Sequence, residues 1–265
     1  MLKKSFLFLL ASAGAFFFSY AQENAVATIH YTLEHVADTT QPDAPSKTEY
    51  VMYIGKASSL CISFTKLQRD ERMRNFSITH PDVKFGGFTE YWGAPIAFYK
   101  DAAKKKLISM SQLKGNNYVT EEPVPDIKWT ITNETKSIDR YPCQKAVADV
   151  HGRTYEAWFC NQLPFSVGPW KLGGLPGLIL EASDSKREVV FRFKSFEDTS
   201  HTAIAMEPNV IKTTPKELSR TIEATQSDAS SAASGGGGMI SAQVVSTNGA
   251  PIKKKQYNNP IDKQF

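Results

Sequence analysis

Short runs in which apolar and polar residues alternate dominate much of the chain. The clearest are residues 26–33 (Val-Ala-Thr-Ile-His-Tyr-Thr-Leu) and residues 188–196. A period of two residues is typical of a strand with one buried face. Residues 48–54 and 60–64 predict two further strands, joined as a hairpin across residues 55–59. The hydrophobic pattern therefore favours strands over helices.

The strongest local signal is the His151-Gly152 dipeptide, which separates Tyr141–Val150 from Arg153–Cys160. A two-residue loop at this point fixes the register of the two strands by counting outward from the turn. The count places Cys143 directly opposite Cys160. A slip of one residue would turn every side chain to the other face of the sheet.

A stretch rich in glycine, proline and large apolar residues follows the hairpin, from Gly168 to Glu181. Within it, Leu175-Pro176-Gly177-Leu178 predicts a type II turn, because proline suits the first central position and glycine supplies the positive φ of the second. A buried strand is expected to run from Leu178 to Ala182.

These elements predict one mainly β domain over residues 22–212, an antiparallel meander that forms an open barrel or a curved sheet. The pattern Thr214-Pro215-Lys216-Glu217 is a capping box with proline at the first helical position, and it predicts a short C-terminal helix over residues 213–225. Residues 226–240, rich in Ser, Ala and Gly, predict a flexible linker, and residues 241–265 predict a basic tail.

The beginning of the chain has the pattern of a secretory signal peptide over residues 1–21. Lys3 and Lys4 precede an apolar run from Phe6 to Phe18, and small residues at Ser19 and Ala21 predict cleavage after Ala21. The alternative is an uncleaved anchor, but the run is shorter than the roughly 20 residues of a membrane-spanning helix. No cysteine lies near the cleavage point, which argues against a lipoprotein, and no later segment has the apolar length of a span. The protein is therefore expected to be exported.

The net charge of the chain bears on whether the protein binds nucleic acid. The formal charge is +4, and removal of Lys3 and Lys4 with the signal peptide lowers it to +2. A charge this small argues against an electrostatic nucleic-acid binder.

Three cysteines are present. In the oxidising compartment of an exported protein, Cys143 and Cys160 are candidates for a disulfide, because directly opposed strand residues satisfy the Cα separation of less than about 7 Å that the bond requires. The alternative is two free thiols that pack as small apolar groups. Cys61 is expected to be a buried free thiol.

No catalytic, metal or cofactor site is predicted. The histidines (His30, His35, His80, His151 and His201) lack metal-ligand spacing, and no serine has a GxSxG environment. The glycines of residues 168–177 form no phosphate-binding loop.

A sharper hypothesis concerns an arginine, a lysine and aromatic residues near the glycine–proline stretch. These side chains could line a groove for a peptide, a lipid or a sugar. The candidate binding residues are Arg153, Tyr155, Trp158, Trp170, Lys171, Leu175, Pro176 and Leu178. The alternative, which we favour, is that the aromatic rings fill the core and the cations cover its rim.

A set of short motifs is spread over residues 129–262. They are Trp129, Ile138, Tyr141, Cys143–Ala146, Gly152-Arg153, Tyr155, Ala157–Phe159, Gly168–Lys171, Gly174–Ile179 and Asn259–Asp262. Together they resemble the GLPGLI family of secreted bacterial proteins, most densely over residues 127–183. One departure is Arg140, which stands where the family usually has a glycine. The family has no established reaction. Its genes are often found near those of outer-membrane, TonB-dependent transport systems, so the resemblance implies a role in the periplasm or outer cell envelope of a Gram-negative bacterium.

The expectation is thus an exported, non-catalytic binding or accessory protein that is associated with outer-membrane TonB-dependent transport. Its partner would be such a transport system, or a peptide or other small ligand. Two alternatives stay open: a helper of a periplasmic hydrolase or peptidase, and a copper- or zinc-handling protein.

Overall fold

The computed structural model describes residues 23–79, 95–113, 115–198, 202–206, 209–234 and 258–263. The predicted signal peptide, residues 235–240 of the predicted linker and residues 241–257 and 264–265 of the predicted tail lie outside this range. The first part of the chain contains β1 (Glu23–Asn24), β2 (Ala27–His35), β3 (Ser46–Ile54), β4 (Ser58–Ser63), α1 (Phe64–Thr79), β5 (Pro95–Asp101), β6 (Lys106–Leu113) and β7 (Asn116–Pro123). The second part contains β8 (Thr130–Ile138), β9 (Tyr141–Val150), β10 (Arg153–Cys160), β11 (Leu178–Asp184), β12 (Val189–Glu197), β13 (Ala203–Ile204), β14 (Ile211–Lys212) and α2 (Pro215–Ser234).

Two antiparallel meanders join edge to edge in one large sheet. The first meander consists of β2 to β7 and the second of β8 to β12. Its strand order is β14-β7-β6-β5-β4-β3-β2-β12-β11-β10-β9-β8, and β12 pairs with β2 where the two meanders meet. Only β14 runs parallel to its neighbour, β7. The outermost strands, β8 and β14, do not pair with each other, so the sheet stays open. The predicted mainly β fold with a C-terminal helix is confirmed.

The hairpin of β9 and β10 has the predicted register, from Val150 paired with Arg153 to Gln144 paired with Phe159. Its turn residue His151 has φ 49° and Gly152 has φ 79°. Positive φ at both central residues defines a type I′ turn, whose twist matches that of the flanking strands. The local sequence is therefore sufficient to set this register.

The core lies on both faces of the first meander. Met52 and Val51 are adjacent in β3, so they point to opposite faces, and each belongs to a different apolar cluster. Phe64 and Leu67 of α1 pack against the cluster of Val51. The larger cluster, on the side of Met52, also receives β9 to β12 and the loop that precedes β11. That loop thus belongs to the core.

Helix α2 begins with the predicted capping box. Glu217 N–H donates to Thr214 Oγ1 (3.2 Å), and Thr214 N–H donates to Glu217 Oε2 (3.1 Å). The helix runs on to Ser234, so residues 226–234 are helical where the sequence predicted a linker. Alanines at 229, 232 and 233 favour this continuation of the helix.

The helices of the described residues are α1 and α2. Neither of them is long and apolar enough to cross a membrane.

The predicted type II turn at Leu175–Leu178 is wrong. Gly177 does not have positive φ, which in this loop belongs to Trp170 (54°) and Gly174 (85°). Gly177 is instead pressed against the end of β10, where a Cβ atom would lie 2.3 Å from the carbonyl oxygen of Cys160. A close backbone approach, and not the turn type, accounts for this glycine.

The predicted Cys143–Cys160 disulfide is absent from the structure, and all three cysteines are buried free thiols. The Cys143 Sγ–H group donates to the carbonyl oxygen of Tyr141 at 3.4 Å. Burial raises the pKa of Cys143 to about 12, and the nearby Cys160 contributes to the rise. A protonated, hydrogen-bonded thiol in an apolar setting packs stably without a covalent partner. Cys61 is a buried free thiol as predicted.

Candidate functional site

Arg153, the first residue of β10, is the centre of the most extensive polar cluster among the described residues. Its Nη1 donates to Asp184 Oδ2 (2.7 Å) and to Glu188 Oε2 (2.9 Å), and its side chain is 2% exposed. Asp184 ends β11, the strand paired with β10, so the sheet itself positions this ion pair. A buried guanidinium requires acceptors for its remaining N–H groups as well.

Those acceptors come from the 258–263 segment, which lies far from Arg153 in sequence. Arg153 Nη2 donates to Asn259 Oδ1 (2.6 Å) and to Pro260 O (2.8 Å), and Nε donates to Ile261 O (3.1 Å). Three side-chain acceptors (Asp184, Glu188 and Asn259) and the backbone carbonyls of Pro260 and Ile261 therefore surround the guanidinium. One face of the cluster is formed by the sheet and the other by the segment.

Asn259 is itself held on every side and is 3% exposed. Its side-chain Nδ2 donates to Val36 O (2.7 Å) and to Glu188 Oε2 (3.1 Å). His35 Nε2 donates to its carbonyl oxygen at 2.7 Å. The backbone N–H groups of Asn258 and Asn259 both donate to Ala37 O. The segment is thus fixed through its backbone as well as through the asparagine side chain.

Asp262 marks the other end of the segment. Lys171 Nζ lies 2.9 Å from Asp262 Oδ2 and 2.5 Å from Glu122 Oε1. His151 Nδ1 is 3.1 Å from the same Asp262 oxygen, without the alignment of a hydrogen bond. Beyond it, Lys263 N–H donates to His151 O at 3.0 Å. We call the side chains that surround the segment the Arg153 pocket; they are His35, His151, Arg153, Lys171, Asp184 and Glu188.

Charge within the Arg153 pocket is balanced by direct contacts. Burial acts to raise the pKa of Glu188, but hydrogen bonds from Arg153 and Asn259 outweigh it and hold the pKa below its ordinary value. Glu188 therefore stays ionised beside the guanidinium. The pairing stabilises charges that would otherwise be costly to bury.

An aromatic wall lies next to the pocket. The Trp170 ring is 5.8 Å from the Tyr155 ring and 5.5 Å from the His151 ring, measured between centroids. The Tyr155 hydroxyl is buried and has no hydrogen-bond partner among the described residues. Burial raises the pKa of Tyr155, opposed by the nearby Arg153. The aromatic wall therefore contributes apolar packing, and the hydroxyl of Tyr155 stays protonated.

The loop that presents Trp170 and Lys171 is held by hydrogen bonds that Lys100 and Trp129 donate to its carbonyl groups. Lys100 Nζ donates to Gly168 O (3.1 Å) and also to Leu172 O, while Trp129 Nε1 donates to Gly173 O (2.8 Å). Burial lowers the pKa of Lys100 to about 8. These donors fix a loop in which Trp170 adopts positive φ, an uncommon conformation for a bulky residue.

The structure brings together four of the predicted binding residues and separates the others. Arg153 and Lys171 contact the 258–263 segment, and Tyr155 and Trp170 form the aromatic wall beside the pocket. Leu175 and Leu178 are buried in the larger core cluster, and Pro176 is exposed. Trp158 lies away from the pocket, with Lys136 Nζ 4.5 Å from its ring centroid and Glu181 as its partner on β11. The aromatic residues of the predicted groove are thus mostly core, as the alternative favoured from the sequence predicted. The other part of that alternative is wrong, because Arg153 and Lys171 are buried in ion pairs and do not lie on the rim of the core.

Sequence reasoning missed the acidic and amide members of the cluster, Asp184, Glu188 and Asn259. The family resemblance singled out Asn259–Asp262 but gave no contact for it. No spacing in the sequence connects these positions with Arg153. Their proximity comes from strand pairing and from the return of the chain across the sheet.

The chemistry available in the Arg153 pocket is recognition of peptide groups. Its donors and acceptors already pair with carbonyls, an amide and a carboxylate of the 258–263 segment. Among the described residues, no group of three His, Cys, Asp or Glu side chains has the geometry to hold a metal ion.

Comparison with known proteins gives a partial match. The family model described as the N-terminal domain of the N-glycanase peptide (PNGase F-II) matches residues 95–214, which is fewer than half of the residues. No curated protein sequence gives a significant match.

Two solved structures of PNGF-II resemble this fold. The structure in the C2 space group has 17% identity and a TM-score of 0.51, and it covers 77% of this chain. The structure in the P21 space group has 16% identity and a TM-score of 0.50, and it covers 75%. The chain spans about a third of the length of each PNGF-II chain (33% in both). At this identity the comparison shows that the folds are alike, and the shared fold is that of one part of a longer protein.

Proposed function

We propose that this protein is an exported, non-catalytic binding or accessory protein of the periplasm or outer cell envelope, associated with outer-membrane TonB-dependent transport. The proposed location follows from the signal-peptide pattern of residues 1–21. The transport association follows from the resemblance to the GLPGLI family. The mainly β fold is compatible with both.

One observation carries the non-catalytic part of the proposal. The ionisable side chains that sequence reasoning suggested for a groove, Arg153 and Lys171, are enclosed and paired with the protein's own 258–263 segment. A general acid, a base or a nucleophile needs access to a substrate. Groups that are saturated by internal partners serve binding and architecture instead.

Affinity purification from the native envelope tests this proposal. The tagged mature protein is expressed in its own host, cross-linked in intact cells and purified from separated periplasmic and outer-membrane fractions. We expect recovery in one of these fractions together with a TonB-dependent transporter, identified by mass spectrometry. A matched control is a similarly tagged exported protein of unrelated fold. Recovery from the cytoplasm, or no enrichment of a transporter over the control, would contradict the proposal.

A second candidate, a helper of a periplasmic hydrolase, is favoured by the match of residues 95–214 to a domain of an N-glycanase. In this case the protein would bind glycoprotein substrates. The partly exposed Trp158 is the aromatic ring on which a sugar would stack, in the place of Lys136 Nζ, which lies 4.5 Å from the ring centroid. Calorimetry with an N-glycosylated peptide and its deglycosylated form tests this, with Trp158→Ala as the variant. Equal binding of the two peptides, or none, would argue against it.

The metal-handling alternative is tested separately. Elemental analysis of the purified mature protein, before and after incubation with copper or zinc, reports its metal content directly. Stoichiometric retention after gel filtration would favour this alternative over the binding proposal.

A further inference from the structure

The contacts of the 258–263 segment have the chemistry of peptide recognition. Three are made by backbone N–H groups, two to Ala37 O and one to His151 O. Three backbone carbonyls, those of Asn259, Pro260 and Ile261, accept hydrogen bonds from His35 or Arg153. Such main-chain pairing holds an extended peptide on a protein surface whatever its side chains are.

Side-chain contacts then distinguish one sequence from another. The Asn259 side-chain amide accepts a hydrogen bond from Arg153 and donates two, to Val36 O and to Glu188 Oε2, so both its oxygen and its nitrogen are recognised. Two residues after the proline, the Asp262 carboxylate meets Lys171 and His151. Proline between them fixes φ and lowers the entropy lost on binding. The pattern that fits is Asn-Pro-x-Asp.

We propose that the Arg153 pocket is a binding site for peptides of the sequence Asn-Pro-x-Asp, and that the 258–263 segment is its resident occupant. The same segment, when supplied by another molecule, competes for the pocket. This proposal does not depend on the cellular location or on the transport partner proposed above, because it concerns the purified protein alone.

The resident segment masks the site in the intact chain. A ligand tethered to its own site acts at an effective concentration of the order of millimolar. A free peptide therefore competes poorly with a wild-type segment and better with a weakened one. Asn259→Ala weakens the segment while leaving the pocket residues unchanged, so it exposes the site without removing any of the chain.

The experiment uses a fluorescent peptide that corresponds to residues 256–265, and its anisotropy is measured with two full-length mature proteins. We expect the peptide to bind the Asn259→Ala protein at least ten-fold more tightly than it binds the wild type. Thermal melts establish that both proteins are folded at the temperature of the titration. No saturable binding to the Asn259→Ala protein would overturn the proposal.

Peptide variants then test the specificity. Against the Asn259→Ala protein, we expect peptides with Asn259→Ala or Asp262→Asn to bind at least ten-fold more weakly than the native peptide. Lys263→Ala is the matched control, because its Nζ lies 3.8 Å from Glu188 and its backbone contact persists. It should bind within three-fold of the native peptide. Equal binding of all four peptides would show that the pocket does not read Asn-Pro-x-Asp.

A second approach covers the case in which Asn259→Ala impairs folding. A protease site is inserted between residues 241 and 249 of the otherwise wild-type chain and is cut after purification. The cut protein should exchange its released segment for the fluorescent peptide, while the uncut protein does not. A segment that never exchanges after cutting would show that it is a permanent part of the fold, and the proposal would be wrong.

Discussion

Gly177 lies directly against the backbone of Cys160, and a Cβ atom at Gly177 would be 2.3 Å from the Cys160 carbonyl oxygen and 2.7 Å from its carbonyl carbon. The neighbouring atoms belong to the backbone where the β9–β10 hairpin ends, and they cannot rotate away as a side chain would. The contact joins the glycine–proline loop to the hairpin, and it determines which residue fits at position 177.

Gly177→Ala is expected to lower the free energy of unfolding by about 2–3 kcal/mol, because the added methyl group forces backbone to move. Gly174 is the matched control. It has φ 85° and open space around a Cβ, so Gly174→Ala should cost only about 1 kcal/mol in conformational strain. Chemical denaturation of both variants measures the difference. A larger loss for Gly174→Ala would contradict the close approach.

Two buried tyrosines differ in whether their hydroxyl is paired. Tyr31 donates to Ile179 O at 2.6 Å, whereas the Tyr155 hydroxyl has no partner among the described residues. Tyr31→Phe should therefore lower the free energy of unfolding by about 1 kcal/mol, and Tyr155→Phe should leave it unchanged or raise it. Urea denaturation of both variants makes the comparison. Destabilisation by Tyr155→Phe equal to that by Tyr31→Phe would reveal a partner for the Tyr155 hydroxyl.

The lowered pKa of Lys100 predicts a pH dependence of stability. The folded-state pKa is about 8, below the roughly 10.4 of a free lysine. Between these values the unfolded chain binds more protons than the folded one, so the contribution of Lys100 to stability rises with pH. Over pH 7.5 to 9.5 the rise should be about 2 kcal/mol.

The measurement compares Lys100 with Lys100→Met, both in a Cys61→Ala background. The background is needed because the pKa of Cys61 is raised to about 11, which makes its own contribution fall as pH rises above about 9. The difference in unfolding free energy between the two proteins should grow in favour of Lys100 across the window. Parallel curves would mean that the folded-state pKa of Lys100 is close to that of a free lysine.

Thiol labelling tests the state of the cysteines. All three are buried and free, and burial raises the pKa of Cys61 and Cys143 to about 11 and about 12. Since the thiolate is the reactive form, the native protein should take up no maleimide at pH 7. The denatured protein, without reductant, should take up three. A single adduct after denaturation would mean that Cys143 and Cys160 are joined by a disulfide.

Sequence reasoning succeeded where the determining contacts are local. The β9–β10 register follows from His151-Gly152, because two residues of positive φ are sufficient to define the turn. The cap of α2 follows in the same way from Thr214 and Glu217. In both cases the interacting groups lie within a few positions of each other.

The sequence did not predict those features of the structure that depend on contacts between distant parts of the chain. Gly177 was interpreted through its neighbour Pro176, but its role depends on Cys160. Residues 132–137 of β8 were not predicted as strand, because an edge strand with polar residues on both sides shows no alternation. The Arg153 pocket was only half predicted, since its cations are recognisable near the loop while Asp184, Glu188 and Asn259 carry no local signal.

The partners of Arg153 also bear on the order in which the protein assembles. Its acceptors lie 31, 106 and 108 positions further along the chain, so the hairpin leaves the ribosome long before the groups that enclose its guanidinium. Contacts between groups this far apart in sequence form slowly, because the entropy of closing the loop is lost before the contacts compensate for it. The β9–β10 end of the molecule therefore keeps a partly solvated arginine until the 258–263 segment docks.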